Sequence, residues 1–145
     1  MKVLLQRVTN AKVEVGGKIT GKINQGLLVF VGIEKHDEQA QVNKMVKRLL
    51  AYRVFYDANQ KMNLSVKEVS GGILIVSQFT LAADTSSGTR AGFSNVKPPA
   101  QAEVLFDYFL TQMRADYHQV ASGVFGADMQ VSLTNDGPVT FLLSC

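Results

Sequence analysis

The sequence has few of the residue types on which several common kinds of protein depend. It contains one cysteine, Cys145, two histidines and no tryptophan among 145 residues. One cysteine can form neither an intrachain disulfide nor a thiolate metal site, which fits a reducing compartment. A zinc site needs three or four ligands, and this sequence could complete such a set only from scattered carboxylates. We therefore expect a protein with no metal site.

Long apolar runs are also missing. No run reaches the roughly 18 residues that a membrane-spanning helix needs, and Lys2 and Arg7 come too early for a secretory signal. At the same time, 46% of the residues are hydrophobic and only 19% are charged, which excludes an intrinsically disordered chain. We expect one globular domain over residues 1–145, located in the cytoplasm and without membrane contact.

Charge is distributed unevenly along the chain. Residues 1–70 carry twelve Lys and Arg against six Asp and Glu, whereas residues 71–145 carry three against six. A basic half favours a polyanionic partner such as nucleic acid. Lysines are also common on ordinary solvated surfaces, and this pattern alone favours that interpretation over a nucleic-acid contact.

Short strands are predicted at several places. Val13–Val15 and Lys18–Thr20 flank Gly16-Gly17, a two-residue turn that indicates a hairpin. Residues 27–33 and 73–76 are apolar without alternation, as in strands covered on both faces. Two more strands are predicted at residues 129–133 and 139–143.

Two helices complete the pattern. Asp37 is a candidate cap for the first helix, and the second is predicted to begin near Pro98-Pro99. Their apolar positions follow helical spacing: Val42, Met45, Val46, Leu49 and Leu50 in the first, and Leu105, Phe106, Phe109, Leu110, Met113 and Tyr117 in the second. The order of elements predicts an α+β fold with helices packed on a sheet, rather than a doubly wound nucleotide-binding fold.

The usual catalytic motifs are missing. The sequence has no Gly-x-Ser-x-Gly elbow, phosphate-binding loop or dinucleotide fingerprint, and His36 and His118 have no ligand partner at helical spacing.

A first candidate site is Ser77-Gln78-Phe79-Thr80-Leu81, which directly follows a buried strand. Functional groups often collect at strand ends. The alternative is a strand that leaves the core, with Phe79 packed inward and the hydroxyls bonded to local backbone.

A second candidate is Asn135–Thr140, which lies between the last two predicted strands. Asp136-Gly137 alone would be a hairpin turn, but Pro138 removes a backbone donor, and a Gly-Pro bond can adopt the cis form. The alternative is an ordinary turn proline at the start of a strand.

Together, Ser77–Asp84 and Asn135–Thr140 resemble the two signature motifs of the D-aminoacyl-tRNA deacylase family. Further segments occur in family order, so the resemblance covers essentially the entire chain: Gln6-Arg7-Val8, Gly26–Val29, Lys61-Met62-Asn63 and Phe125–Met129. One departure is that Ala91-Gly92 stands where members commonly have Pro-Ser, which should loosen the loop and affect substrate affinity.

The resemblance implies a compact homodimer whose α+β domains have α/β/β layers, mainly antiparallel strands and two principal helices. Such a protein hydrolyses, without a cofactor, the ester between a D-amino acid and the terminal ribose of tRNA, and also removes glycine. The active sites lie at the subunit interface. Gly137 and Pro138 of one subunit would enter the pocket of the other and reject L-amino acids.

The resemblance also suggests roles for individual residues. Ser77, Gln78, Phe79 and Thr80 form the candidate catalytic set, in which backbone N–H groups stabilise the carbonyl oxygen. Thr80 has no neighbouring base in the sequence, so positioning is favoured over covalent attack.

Three further residues are candidates for substrate binding. Phe125 and Met129 would line the pocket for the terminal adenosine, or simply belong to the core. Arg7 would brace the Gly-Pro turn, or be an exposed arginine with an ordinary salt bridge. A non-catalytic RNA-binding module remains the alternative to an enzyme.

Overall fold

Eight strands, two α-helices and one short 3-10 helix form the fold, and the computed structural model describes all residues from 1 to 145. The elements run in the order β1 Lys2–Val15, β2 Lys18–Ile23, β3 Gly26–Gly32, α1 Gln39–Ala51, β4 Phe55–Tyr56, β5 Met62–Leu64, β6 Gly72–Ser77, the 3-10 helix Phe79–Ala82, α2 Pro99–Asp116, β7 Val120–Ser122 and β8 Gln130–Ser144.

The main sheet has the strand order β2-β1-β3-β6-β7, and β8 pairs with the other side of β1. Strand β1 is antiparallel to β2, β3 and β8, whereas β3–β6 and β6–β7 are parallel pairs. The first half of β1 pairs with β3 and its second half pairs with β2. The predicted α+β class, with two principal helices and a mainly antiparallel sheet, is confirmed.

The core lies on both faces of this sheet. In β3, Leu27 and Val29 belong to a large cluster with both helices, whereas Leu28 belongs to a smaller cluster with Leu74 and Val76 on the opposite face. That second face is closed by the sheet itself, because β2 contacts β6 and β7. Helices, central strands and the folded-over strands therefore form three layers.

Several predicted local structures are confirmed. The hairpin between β1 and β2 turns at Gly16 and Gly17, whose φ angles of 56° and 78° suit glycine. Helix α2 has Pro99 in its first turn, and the predicted apolar positions of both helices are buried. Neither helix is long and apolar enough to cross a membrane.

The predicted helix cap Asp37 is wrong. Helix α1 is capped by Glu38, whose N–H donates to Oε1 of Gln41 at 3.0 Å. The Asp37 carboxylate is instead buried, where it accepts hydrogen bonds from the α-ammonium group of Met1 and the N–H of Glu34, both at 2.6 Å. If the Asp37 side chain turned outward to cap the helix, the buried ammonium group would lose this partner, which is costly.

The prediction of only short strands in the first third is also wrong, since β1 alone has 14 residues. Residues 129–133 and 139–143 are not two strands joined by a hairpin. Both belong to β8, and both halves run antiparallel to β1. Asn135 pairs with Val8 and Thr140 pairs with Gln6, so residues 136–139 bulge out opposite Arg7. We call residues 136–139 the Gly-Pro bulge.

Candidate active site

A cleft of about 640 Å³ opens where β6 ends. This volume is typical of sites for small ligands, and the lining is mostly apolar. Its walls come from four parts of the chain: the ends of β3 and β6, the start of the 3-10 helix, the segment from Phe93 to the first turn of α2, and residues 125–131.

Five of the predicted site residues line this cleft: Ser77, Gln78, Phe79, Phe125 and Met129. The alternative in which Phe79 packs inward is wrong, because its side chain is 58% exposed. Phe125 and Met129 also pack against the two core clusters, and the Phe125 ring lies 5.6 Å from that of Phe106. These two residues are therefore both part of the core and part of the cleft wall.

Thr80 lies beside the cleft rather than in its lining. Its side chain is exposed, and its Oγ1 accepts a hydrogen bond from Nε2 of Gln78 at 2.6 Å. Neither His36 nor His118 lines the cleft, so no imidazole is placed to take a proton from this hydroxyl.

The backbone at the start of the 3-10 helix provides donors beside the cleft. Within this turn the N–H of Leu81 donates to the carbonyl of Gln78 at 3.2 Å. The N–H groups of Phe79 and Thr80 come before that first bond, and the first donors of any helix have no partner within it. These two neighbouring N–H groups therefore have no partner within the 3-10 helix.

The Gly-Pro bulge lies outside the cleft of its own chain. The Gly137-Pro138 peptide bond is cis, and both residues are exposed. The side-chain amide of Asn135 donates to the carbonyls of Arg7 and Val139, at 2.9 and 3.0 Å, and so holds the base of the bulge. The chain presents this bulge to its surroundings rather than to its own site.

Arg7 supports the bulge from below. Its side chain is only 2% exposed, so the alternative of a surface arginine is wrong. Its Nε donates to the Asp136 carbonyl at 3.2 Å and lies 3.0 Å from the Asp136 carboxylate, while Nη1 donates to the Val54 carbonyl at 2.6 Å. The guanidinium also stacks over the Tyr56 ring, 4.5 Å from its centre. Any role of Arg7 in substrate binding must therefore act through the bulge.

The cleft lining also includes Phe93, Lys97 and Asp128, for which the sequence suggested no role. Lys97 is the only basic side chain in the lining, and Asp128 is the only acidic one. Asp128 lies within Phe125–Met129, which resembles the family, and Phe93 directly follows the departure at Ala91-Gly92, so both positions carried a signal. Lys97 carried none, because a single lysine before Pro98 is unremarkable in a sequence.

The loop from Asp84 to Gly92 is closed despite the departure at Ala91-Gly92. Asp84 and Gly92 exchange two backbone hydrogen bonds, each of 2.8 Å. The Asp84 carboxylate accepts from the N–H of Ser86, and this bond lowers its pKa below the ordinary aspartate value. The bridge delivers Phe93, the next residue, to the edge of the cleft.

The chain is thus an α+β domain with a cleft at the end of a parallel strand and an exposed bulge that does not line this cleft. The family model described as D-Tyr-tRNA(Tyr) deacylase matches residues 4–144, and the chain belongs to this family. The resemblance seen in the sequence is thereby confirmed.

The chain is also similar to named proteins in sequence and in structure. The chain is 63% identical over 142 residues to the D-aminoacyl-tRNA deacylase of Pseudomonas savastanoi pv. phaseolicola, with 98% of both chains covered. A solved structure titled "c-Myc DNA Unwinding Element Binding Protein" has a TM-score of 0.96 and 41% identity, covering 100% of this chain and 99% of that one. A probable eukaryotic D-amino acid tRNA deacylase, at 18% identity and a TM-score of 0.84, covers 98% of this chain and 97% of its own and shares the fold.

Proposed function

We propose that this protein is a D-aminoacyl-tRNA deacylase, which hydrolyses the ester between a D-amino acid and the terminal ribose of tRNA. The observation that carries the proposal is the cleft, which joins Ser77, Gln78 and Phe79 to Phe125 and Met129. Its apolar walls suit a nucleoside, and its backbone donors suit an ester carbonyl. Membership of the deacylase family supports the same reaction. Such a substrate is consistent with a cytoplasmic location.

Ester hydrolysis needs an attacking oxygen, a path for its proton and donors for the oxyanion. A water oxygen attacks the ester carbonyl carbon, the bond from that carbon to the ribose oxygen breaks, and the ribose oxygen takes a proton. The N–H groups of Phe79 and Thr80 stabilise the developing charge on the carbonyl oxygen.

The substrate supplies the group that the protein lacks. The ribose hydroxyl beside the ester positions the water and passes on its proton, because no histidine lines the cleft. Gln78 and Thr80, joined by their 2.6 Å hydrogen bond, orient this part of the substrate. Phe125 and Met129 hold the terminal adenine between the core and the opening of the cleft.

The functional unit in this proposal is a homodimer in which the Gly-Pro bulge of one chain enters the cleft of the other. Gly137 and Pro138 are exposed and lie outside their own cleft. On the same strand, Phe141 and Leu142 are also exposed, at 36% and 57%. Strand β8 pairs only with β1, so its outer side is an unpaired edge next to apolar side chains. A second copy of the chain would cover all of these features.

Chiral selection follows from this arrangement. A wall of main-chain carbonyls from Gly137 and Pro138 would collide with the side chain of an L-amino acid, while a D side chain would point away. Glycine has no side chain to reject, so glycyl-tRNA should also be hydrolysed.

A nucleic-acid-binding protein without catalytic activity is the second candidate. It is favoured by the basic first half of the chain and by the printed name of the 41% identical structure. Such a protein would bind tRNA with a strong salt dependence and would release no amino acid.

Turnover separates the two candidates. The full chain is incubated with excess D-tyrosyl-tRNA, L-tyrosyl-tRNA and glycyl-tRNA, and with D-tyrosine methyl ester, which lacks the ribose. We expect multiple turnovers on the D and glycyl substrates only. Binding without release would support the second candidate, and equal activity on the methyl ester would indicate a general esterase.

Complementation tests the action in trans. Gln78→Ala damages the cleft and Pro138→Ala damages the bulge, so each variant alone should have low activity. Mixing and re-equilibrating them in equal amounts should restore about a quarter of the wild-type activity, since half of the dimers are mixed and each has one intact site. Sedimentation at the assay concentration measures the dimer, and no gain on mixing would contradict the trans arrangement.

A further inference from the structure

Two aromatic side chains stand side by side at the mouth of the cleft. Phe79 is 58% exposed and Phe93 is 49% exposed, and their ring centres lie 5.4 Å apart with planes inclined at 46°. We call them the aromatic pair. Both line the cleft, so the exposed apolar surface continues from its interior to its rim.

The position of Phe93 is fixed by the backbone rather than by burial. The two hydrogen bonds between Asp84 and Gly92 close the preceding loop directly before Phe93. Its N-terminal neighbour is thus held, while about half of the ring remains open to solvent. Exposed aromatic rings beside a ligand cleft indicate a contact with part of a ligand that extends out of the cleft.

We propose that the aromatic pair stacks on the base of the nucleotide that precedes the terminal adenosine of tRNA. This inference rests on the proposed function. A cleft of about 640 Å³ accommodates the terminal nucleoside and its amino acid, so the preceding nucleotide must emerge at the mouth. The 3′ end of tRNA is single-stranded, and unstacked bases commonly bind to aromatic side chains.

A basic side chain in the cleft lining agrees with this occupant. Lys97, the cleft's only basic side chain, lies close to the exposed backbone of Lys35, since its Nζ donates to the Lys35 carbonyl at 2.9 Å. A cation at this edge suits the phosphate that joins the last two nucleotides. Because every base has a flat face, the aromatic pair would add affinity without selecting a particular base.

The test compares two substrates that differ only in the preceding nucleotides: 3′-D-tyrosyl-adenosine, and the same ester on the trinucleotide cytidylyl-cytidylyl-adenosine. Phe93→Ala should lower kcat/KM on the trinucleotide by about 5- to 150-fold, the loss expected for one stacked base, and by less than about twofold on the adenosine ester. Phe93→Leu, which retains an apolar side chain but no aromatic face, should behave similarly. Phe93→Trp should retain activity on both substrates.

Matched controls give each result a meaning. Val104→Ala shortens a side chain that is 71% exposed on α2, and it should leave kcat/KM unchanged on both ester substrates. A trinucleotide with an abasic middle position should abolish the difference between Phe93→Ala and wild type. Equal losses on both ester substrates, or a weaker dimer in Phe93→Ala, would overturn the stacking role in favour of loop support or a subunit contact. Failure of the wild-type protein to hydrolyse either ester would overturn the proposed function as well.

Discussion

Gly137→Ala is the most direct test of the Gly-Pro bulge. Gly137 has φ of +122°, a backbone conformation that L-residues rarely adopt. A Cβ at this position would lie 2.8 Å from Cγ2 of Val139 and 2.9 Å from Nη2 of Arg7. Arg7 is buried and held by Val54 and Asp136, so it cannot move away freely. The bulge itself must therefore shift and carry Pro138 with it.

The expected size of the effect follows from this geometry. Holding alanine in such a conformation costs on the order of 1–3 kcal/mol, so the free energy of unfolding should fall by about that amount. A misplacement approaching 1 Å at a site can lower a rate by about 100-fold. We expect the ratio of kcat/KM for D- over L-tyrosyl-tRNA to fall by about 10- to 100-fold.

Two variants serve as controls for Gly137→Ala. Gly16→Ala also places alanine at a positive φ, +56°, but its Cβ meets nothing within 4 Å, so it tests backbone strain far from the bulge. Thr80→Ser keeps the hydroxyl that accepts from Gln78 and should change activity only slightly. All variants must first be shown to fold and dimerise. Small and equal effects of Gly137→Ala and Thr80→Ser, with rejection of L substrates intact, would refute the bulge as the chiral filter.

Three further predictions concern the elements that support the site. Arg7→Lys removes the planar contact with Asp136 and should lower the unfolding free energy by about 2–3 kcal/mol in urea, with a parallel loss of D over L selectivity. Gly92→Ala should instead raise the unfolding free energy by about 0.4–1 kcal/mol, because its Cβ meets only ordinary contacts at 3.8 Å or more. Thermal unfolding measures this change, and a melting temperature below that of the wild type would contradict the prediction. Tyr117→Phe removes a buried hydrogen bond of 2.6 Å to the Gly71 carbonyl and should cost about 1–3 kcal/mol. Burial raises the pKa of Tyr117 above its ordinary value of 10.0. The contribution of the neutral Tyr117 side chain to the free energy of unfolding is therefore complete below pH 10.0 and is lost as the pH rises through the folded-state pKa. Tyr117→Phe should lack this alkaline component in denaturation curves measured from pH 8 to 11.

The parts of the fold that could be predicted from the sequence are those set by local patterns. The stripe from Val42 to Leu50 can be buried only as a helix, and the apolar run of β3 only as a central strand. Likewise, the hairpin at Gly16-Gly17 depends on turn chemistry within four residues. Asp37 was misjudged because its partner, the α-ammonium of Met1, lies 36 positions away in the sequence.

The Gly-Pro bulge also could not be predicted from local sequence alone. Asp136-Gly137 has the chemistry of a hairpin turn, and nothing local distinguishes a turn from a bulge. The distinction is made by β1, which is long enough to pair with both halves of β8 and so prevents the chain from reversing. The exposure of Phe93 could likewise not be predicted, because it depends on the bridge between Asp84 and Gly92.

The two halves of the proposed site, the cleft and the Gly-Pro bulge, are separated on each chain. This separation explains why the site depends on both buried and exposed residues. The cleft is built on β6, in the centre of the sheet, where Ile73 to Val76 are buried and the strand end is rigidly held. The bulge projects from β8 at the edge, where a backbone can leave the sheet without breaking the core. Arg7 lies on β1, between the central strand β6 and the edge strand β8. It fixes the bulge by donating a hydrogen bond to the main-chain carbonyl of Asp136. The proposed selective surface consists of the main chain of Gly137 and Pro138, whose own side chains do not hold it in place. It therefore depends on a buried residue such as Arg7 to fix its position.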